Sequence, residues 1–125
     1  MNIDAKCVEF NECCKQAHTT ALNHGFYDDY NNLDDYLSVN DQPQMGAIAY
    51  RNFILAQLAK IASEVGESVS VVQKQKDYEG LAEELADIVI RTMDLATFMG
   101  YELGTHIALK MAKNEARPYK HGKIC

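Results

Sequence analysis

A chain of 125 residues holds one domain's worth of core, and its 47% hydrophobic and 24% charged residues exclude a disordered or low-complexity protein. The formal net charge of −6 excludes a general nucleic-acid binder, because contacts to phosphates need a basic surface. Met1-Asn2-Ile3-Asp4 lacks the basic and apolar regions of a leader peptide, and no apolar run approaches a membrane span, so a cytoplasmic protein without a membrane partner is expected.

The first predicted helix starts at Asp4, a good N-cap, and ends at Gly25, a good C′ residue. Its apolar positions Cys7, Phe10, Cys14, Ala17 and Ala21 repeat at spacings of three and four. Cys7, Cys13, Cys14 and Cys125 have no Cys-x-x-Cys spacing, and Cys7 and Cys14 read as small hydrophobes on that stripe rather than as ligands. His18 and His24 read as polar surface or cap groups. Residues 26–39, rich in Asp, Asn and Tyr, read as a loop with one short helix, in which Phe26 is expected to plug the end of the core. The roles of Tyr27, Tyr30 and Tyr36 stay open.

Pro43 and Gly46 lead into a second main helix from about Ala47 to Gln73. At about 100° per residue, Ile54, Leu58, Ile61, Val65 and Val72 form one apolar stripe, with Glu64 and Glu67 off its edge. The third main helix runs from about Glu79 to Met99, stopped by Gly100, with a stripe of Leu81, Leu85, Ile88, Leu95 and Met99 and with Glu84 and Asp87 off the edge in the same rotational sense. Val89, Ile90 and Met93 widen its apolar surface, so this helix is expected to be central or buried against a second subunit. Arg91 is placed to bridge Asp87 and Asp94 along the helix, or to orient a ligand carboxylate. The fourth main helix spans about Glu102 to Ala116, with Leu103, Ile107 and Met111 inward, and the residue before Pro118 ends it. With no strand pattern, the expected fold is all-α: one domain over residues 1–125, an antiparallel bundle of four main helices completed by oligomerisation.

The short polar connection Lys74-Gln75-Lys76-Asp77 favours antiparallel neighbours. If the second and third main helices pack stripe to stripe, all four acids line one groove. A lone pair of acids three residues apart is usually a solvated face, but two pairs on matching edges of consecutive helices point to a cluster. Four carboxylates held together repel unless a cation neutralises them. Oxygen donors without Cys or His at matching spacing favour Mg²⁺ or Mn²⁺ over zinc, and neither acid pair has the His of a di-iron Glu-x-x-His site.

Three blocks carry a resemblance. Lys60-Ile61-Ala62-Ser63-Glu64-Val65-Gly66-Glu67, then Glu83-Glu84-Leu85-Ala86-Asp87-Ile88-Val89-Ile90-Arg91, then residues 110–123 from Lys110 through Asn114, Arg117 and His121 to Lys123 are similar, in order and spacing, to the MazG-like all-α nucleoside triphosphate pyrophosphohydrolases. Asn23-His24-Gly25-Phe26 resembles a further element of one subgroup. The resemblance implies Mg²⁺-dependent cleavage of a nucleoside triphosphate to monophosphate and pyrophosphate, with nucleotide-pool house-cleaning as the role. It implies that Glu64, Glu67, Glu84 and Asp87 bind metal, and that Lys110, Asn114 and Arg117 contact substrate. Many relatives have two adjacent acids where this chain has Ser63-Glu64, a departure that bears on the general base.

The residues fit that chemistry. Attack of water at the α-phosphorus needs a polarised nucleophile and a neutralised triphosphate, with Glu64 or Glu67 as candidate general base. Lys60, Arg91, Lys113, Lys120, Lys123 and His121 join the candidate phosphate contacts, although the lysines of a basic tail are equally compatible with a solvated surface. Two other readings stand beside this one: a phosphoribosyl-ATP pyrophosphohydrolase-like enzyme, and a non-catalytic helical module that dimerises through the third main helix. The family's sites are commonly built between subunits, so a homodimer or homotetramer is expected.

Overall fold

In a computed structural model that describes residues 5–119, the chain forms five α-helices: α1 (Ala5–Asn23), α2 (Asp28–Val39), α3 (Pro43–Lys74), α4 (Leu81–Phe98) and α5 (Leu103–Glu115). A single 3₁₀ turn, Lys76–Tyr78, joins α3 to α4, and no strand occurs among the described residues. The predicted main helices are α1, α3, α4 and α5, and the short helix of the tyrosine-rich segment is α2. Asp4 lies outside the described residues, so its capping role does too.

Glycine punctuation sets the helix ends. Gly25 has φ of 78°, and the bonds Gly25 N–H to Leu22 O and Phe26 N–H to Ala21 O close α1 with a Schellman motif. Gly100, with φ of 79°, closes α4 in the same way through Thr97 O and Ala96 O. At the end of α2 the left-handed residue is Asp41, φ 54°, with Asp41 N–H to Ser38 O and Gln42 N–H to Leu37 O. Pro43 then starts α3 four residues earlier than expected. Proline suits that place, where the missing N–H has no intrahelical partner.

The helices stack in the spatial order α2, α3, α4, α1, α5. Two contacts give the α3–α4 register: Tyr50 Oη meets Met99 Sδ at 3.4 Å, and Arg91 Nε meets Glu64 Oε1 at 2.7 Å. Numbers rise on one helix as they fall on the other, so the pair is antiparallel. An aromatic group made by Tyr27, Tyr30, Phe53 and Phe98, with ring centroids 4.5 to 5.8 Å apart, plugs one end of this pair. On the far side, α5 docks on α1 at Gly104, where an added Cβ would lie 2.8 Å from the Cys7 carbonyl oxygen.

The expected faces need correction. The face of α3 that meets α4 is formed by Glu64, Ser68 and Val71, all buried, while Leu58, Val65 and Val72 of the predicted stripe are 48%, 47% and 47% exposed. On α4, Ile88, Leu95 and Met99 are partly buried but Leu85 is exposed. Glu64, Glu84 and Asp87 therefore sit within the helix interface rather than along its edge while Glu67 is exposed, and the predicted stripe of α3 is divided, with Ile54 and Ile61 partly buried and Leu58, Val65 and Val72 facing outward. On α5, Leu103 turns inward as expected, whereas Ile107 and Met111 are exposed and, with Gly104, line an open groove against Cys7 and Phe10 of α1. Phe26 is also exposed, and Tyr27, 2% exposed, is the aromatic plug, since the Gly25 turn carries the chain round between them.

Candidate active site

Glu64 and Glu67 stand on adjacent turns of α3, and Glu84 and Asp87 on adjacent turns of α4. Antiparallel packing brings them level. Carboxylate oxygens of Glu64, Glu84 and Asp87 lie within 4.8 Å of one another. Glu67 is outside that tight group, yet Glu64 and Glu84 beside it push its carboxyl above the ordinary range.

Glu64 is the most buried member. Its Oε1 accepts from Arg91 Nε at 2.7 Å, and this guanidinium contact holds the Glu64 carboxyl below the usual carboxylate range against the opposing effect of burial. Arg91 thus reaches across to α3 and orients a carboxylate of the cluster, the second of its two expected roles, rather than bridging Asp87 and Asp94 along its own helix. Among the described residues Glu64 Oε2 and Glu84 Oε2 are buried with no hydrogen-bond partner. Buried acceptors are rarely left in that condition. Three hard oxygen donors converging with two unsatisfied buried oxygens fit a divalent cation such as Mg²⁺ or Mn²⁺.

A cavity of about 520 Å³ opens beside this cluster, between α1 and α4. Glu64, Asp87 and Arg91 line one end, Ala17, Ala21, Ile90 and Met93 give apolar walls, and Phe26 and Cys13 also face the space. Beside the apolar walls lies Asp94, whose Oδ1 accepts from Tyr27 Oη at 2.7 Å and contacts His18 Nδ1 at 2.8 Å. His18 is therefore a partly buried partner of α4 rather than a surface or cap group. Burial and the Asp94 carboxylate together drive the Tyr27 hydroxyl far above its ordinary titration range, so it stays a donor. Asp94, His18 and Tyr27 are absent from the expected site, since nothing local in the sequence links residues 76 and 67 positions apart.

The remaining expected site residues lie elsewhere in the protomer. Lys60 is exposed on α3, one turn before Glu64. Lys110 and Lys113 flank a shallow depression on α5 with His106 and Leu109. Asn114 borders a groove between α1 and α5, and Arg117 is exposed beyond the helix end. None of these lines the cavity at the carboxylates. His121, Lys120 and Lys123 lie outside the described residues.

Residues 54–121 match the family model described as the MazG nucleotide pyrophosphohydrolase domain, a span that contains both acid pairs and all of α4 and α5. No curated protein and no solved structure matches the chain.

Proposed function

The chain belongs to the MazG nucleotide pyrophosphohydrolase family, and we propose that it is a Mg²⁺-dependent enzyme that hydrolyses a nucleoside or deoxynucleoside triphosphate to monophosphate and pyrophosphate, as a nucleotide-pool house-cleaner. The observation that carries this reading is the convergence of Glu64, Glu84 and Asp87, with two buried unsatisfied oxygens, at the end of a half-apolar cavity of nucleotide size.

Glu64, Glu84 and Asp87 would hold the cation, with Glu67 completing the set. When bound, Mg²⁺ or Mn²⁺ offsets the triphosphate charge and polarises the attacking water. Arg91 keeps the Glu64 carboxylate ionised and aimed. One of the two α3 acids, Glu64 or Glu67, takes the proton of the attacking water. The apolar walls of the cavity exclude water from the nucleoside. Hydrolysis in heavy-oxygen water tests the reaction: label in the monophosphate establishes attack at the α-phosphorus, and label in pyrophosphate overturns it.

A homodimer or homotetramer is part of the proposal. On α3, Leu55, Leu58, Ala62, Val65, Val69 and Val72 follow a three-four spacing on the exposed side, the pattern of a helix seam that expects another helix. A second copy covering this seam hides the apolar surface. It also supplies a route for the α5 cations Lys110, Lys113 and Arg117, which lie away from the carboxylates of their own chain, to meet the leaving pyrophosphate.

A further inference from the structure

Asp94 lies seven residues beyond Asp87 on α4. At 1.5 Å per residue the two stand about 10 Å apart along one helix, with Ile90 and Arg91 between them. That is the reach from an α-phosphate across a sugar to the far edge of a base. With the phosphates at Asp87, the base edge arrives at Asp94.

The state of that carboxylate defines what it can read. Its side chain is 13% exposed, and Oδ1 already takes Tyr27 Oη and His18 Nδ1. A carboxylate oxygen has two lone pairs, so Oδ1 is filled. Among the described residues Oδ2 accepts nothing, while Asp94 lines the cavity. The site offers one acceptor atom and no donor from this side chain.

We infer that Asp94 is the base-reading residue of this enzyme, and that it selects bases with an exocyclic amine at the edge opposite the sugar, cytosine or adenine, over uracil, thymine and guanine. An amine of that kind donates to one oxygen. Uracil and thymine turn a carbonyl to the same place, and their single N–H sits between two carbonyls that repel a carboxylate. Guanine's adjacent N–H and amine match both oxygens of a carboxylate, and Tyr27 and His18 have taken one. Tyr27 and His18 act as positioning residues that hold the Asp94 carboxylate fixed. The inference rests on the nucleotide reading of the cavity.

The test is calorimetric binding of the deoxynucleoside monophosphates of the five bases, with Mg²⁺, to the full chain and to Asp94→Asn. The amide keeps an oxygen for Tyr27 and His18 and turns a donor to the cavity. The expected result is that the unaltered protein binds a cytosine or adenine nucleotide at least about tenfold tighter than uracil, and that Asp94→Asn reverses the order. A merely structural carboxylate would weaken all five alike and leave their order unchanged, which overturns the inference, as does absence of binding by all five. Should Asp94→Asn fail to fold, methylating both hydrogens of the exocyclic amine of the preferred nucleotide is expected to cost the unaltered protein about tenfold or more in affinity, and undiminished binding overturns the inference. Triphosphate hydrolysis is followed separately. Its absence sinks the proposed reaction while the order of base binding remains readable.

Discussion

Arg91 and Glu64 meet across the α3–α4 interface, Nε to Oε1 at 2.7 Å, although 27 residues separate them in the chain. The pair ties the most buried acid of the cluster to the helix that carries the other two. It occupies one oxygen of Glu64 and leaves Oε2 buried and, among the described residues, without a hydrogen-bond partner. Lysine at position 91 would keep the charge but offers a compact ammonium without the planar guanidinium. Arg91→Lys is therefore expected to weaken Mn²⁺ or Mg²⁺ binding about 10- to 100-fold, the usual scale for loss of a group that orients a ligand, with helical circular dichroism retained. Metal titration calorimetry checks this.

Glu67 gives a pH signature. Its carboxyl is raised above the ordinary value of 4.5 by Glu64 and Glu84, so the folded protein holds a proton that the unfolded chain has already released. Stability from this group is present below 4.5 and is lost as pH rises through the raised value. Glu64, held low by Arg91, acts in the opposite sense and over the range below 4.5. In chelator, Glu67→Gln is expected to raise the melting temperature near pH 7 and to leave it unchanged at pH below 4.5. The same variant should lose most Mg²⁺-dependent turnover. Melting curves against pH, with and without chelator, decide it.

Mg²⁺ stabilises by mass action if the cluster binds it. At a concentration one hundred times the dissociation constant the gain is about 2.7 kcal/mol, several degrees of melting temperature for a domain of this size. Asp87→Asn is expected to abolish that shift, and scanning calorimetry of the two proteins in Mg²⁺ and in chelator measures it.

The exposed seam of α3 makes a prediction about assembly. Leu58→Glu combined with Val65→Glu places two charges among Leu55, Val69 and Val72 and should weaken self-association at least about tenfold. Turnover is expected to fall with it, because the α5 cations then have no second copy from which to reach a site. Sedimentation equilibrium that shows an unchanged mass would remove the seam from the interface.

Gly104 tests the docking of α5. Its N–H donates to Asn11 Oδ1 at 2.7 Å, and a Cβ there would stand 2.8 Å from backbone oxygen of α1. Gly104→Ala is expected to cost about 1–3 kcal/mol in denaturant unfolding, as overpacking of a close contact does.

What the sequence makes legible follows from local geometry. The i, i+3 acids, the helix ends at Gly25 and Gly100 and the short α3–α4 connection are local signals, and they place Glu64, Glu84 and Asp87 together. The orientation of α3 is a different matter. Periodicity marks Leu58, Val65 and Val72 as a stripe to be covered, but it does not say whether the cover is α4 or something outside the protomer. In the fold Glu64, Ser68 and Val71 take the inner face, because α4 presents Glu84, Asp87 and Arg91 to it. Arg91 had acids in reach on its own helix, and only the register of α3 reveals Glu64 as its partner. Asp94, Tyr27 and His18 come from three segments, so no window of sequence contains them, and the exchange of roles between Phe26 and Tyr27 depends on one left-handed glycine.

The most direct test is release of pyrophosphate and monophosphate from a panel of ribo- and deoxynucleoside triphosphates, in Mg²⁺ and in chelator. The proposed reaction gives equal amounts of the two products from at least one triphosphate, dependent on Mg²⁺ and lost in Asp87→Asn. Absence of pyrophosphate from every triphosphate, or release that persists undiminished in chelator, would contradict it.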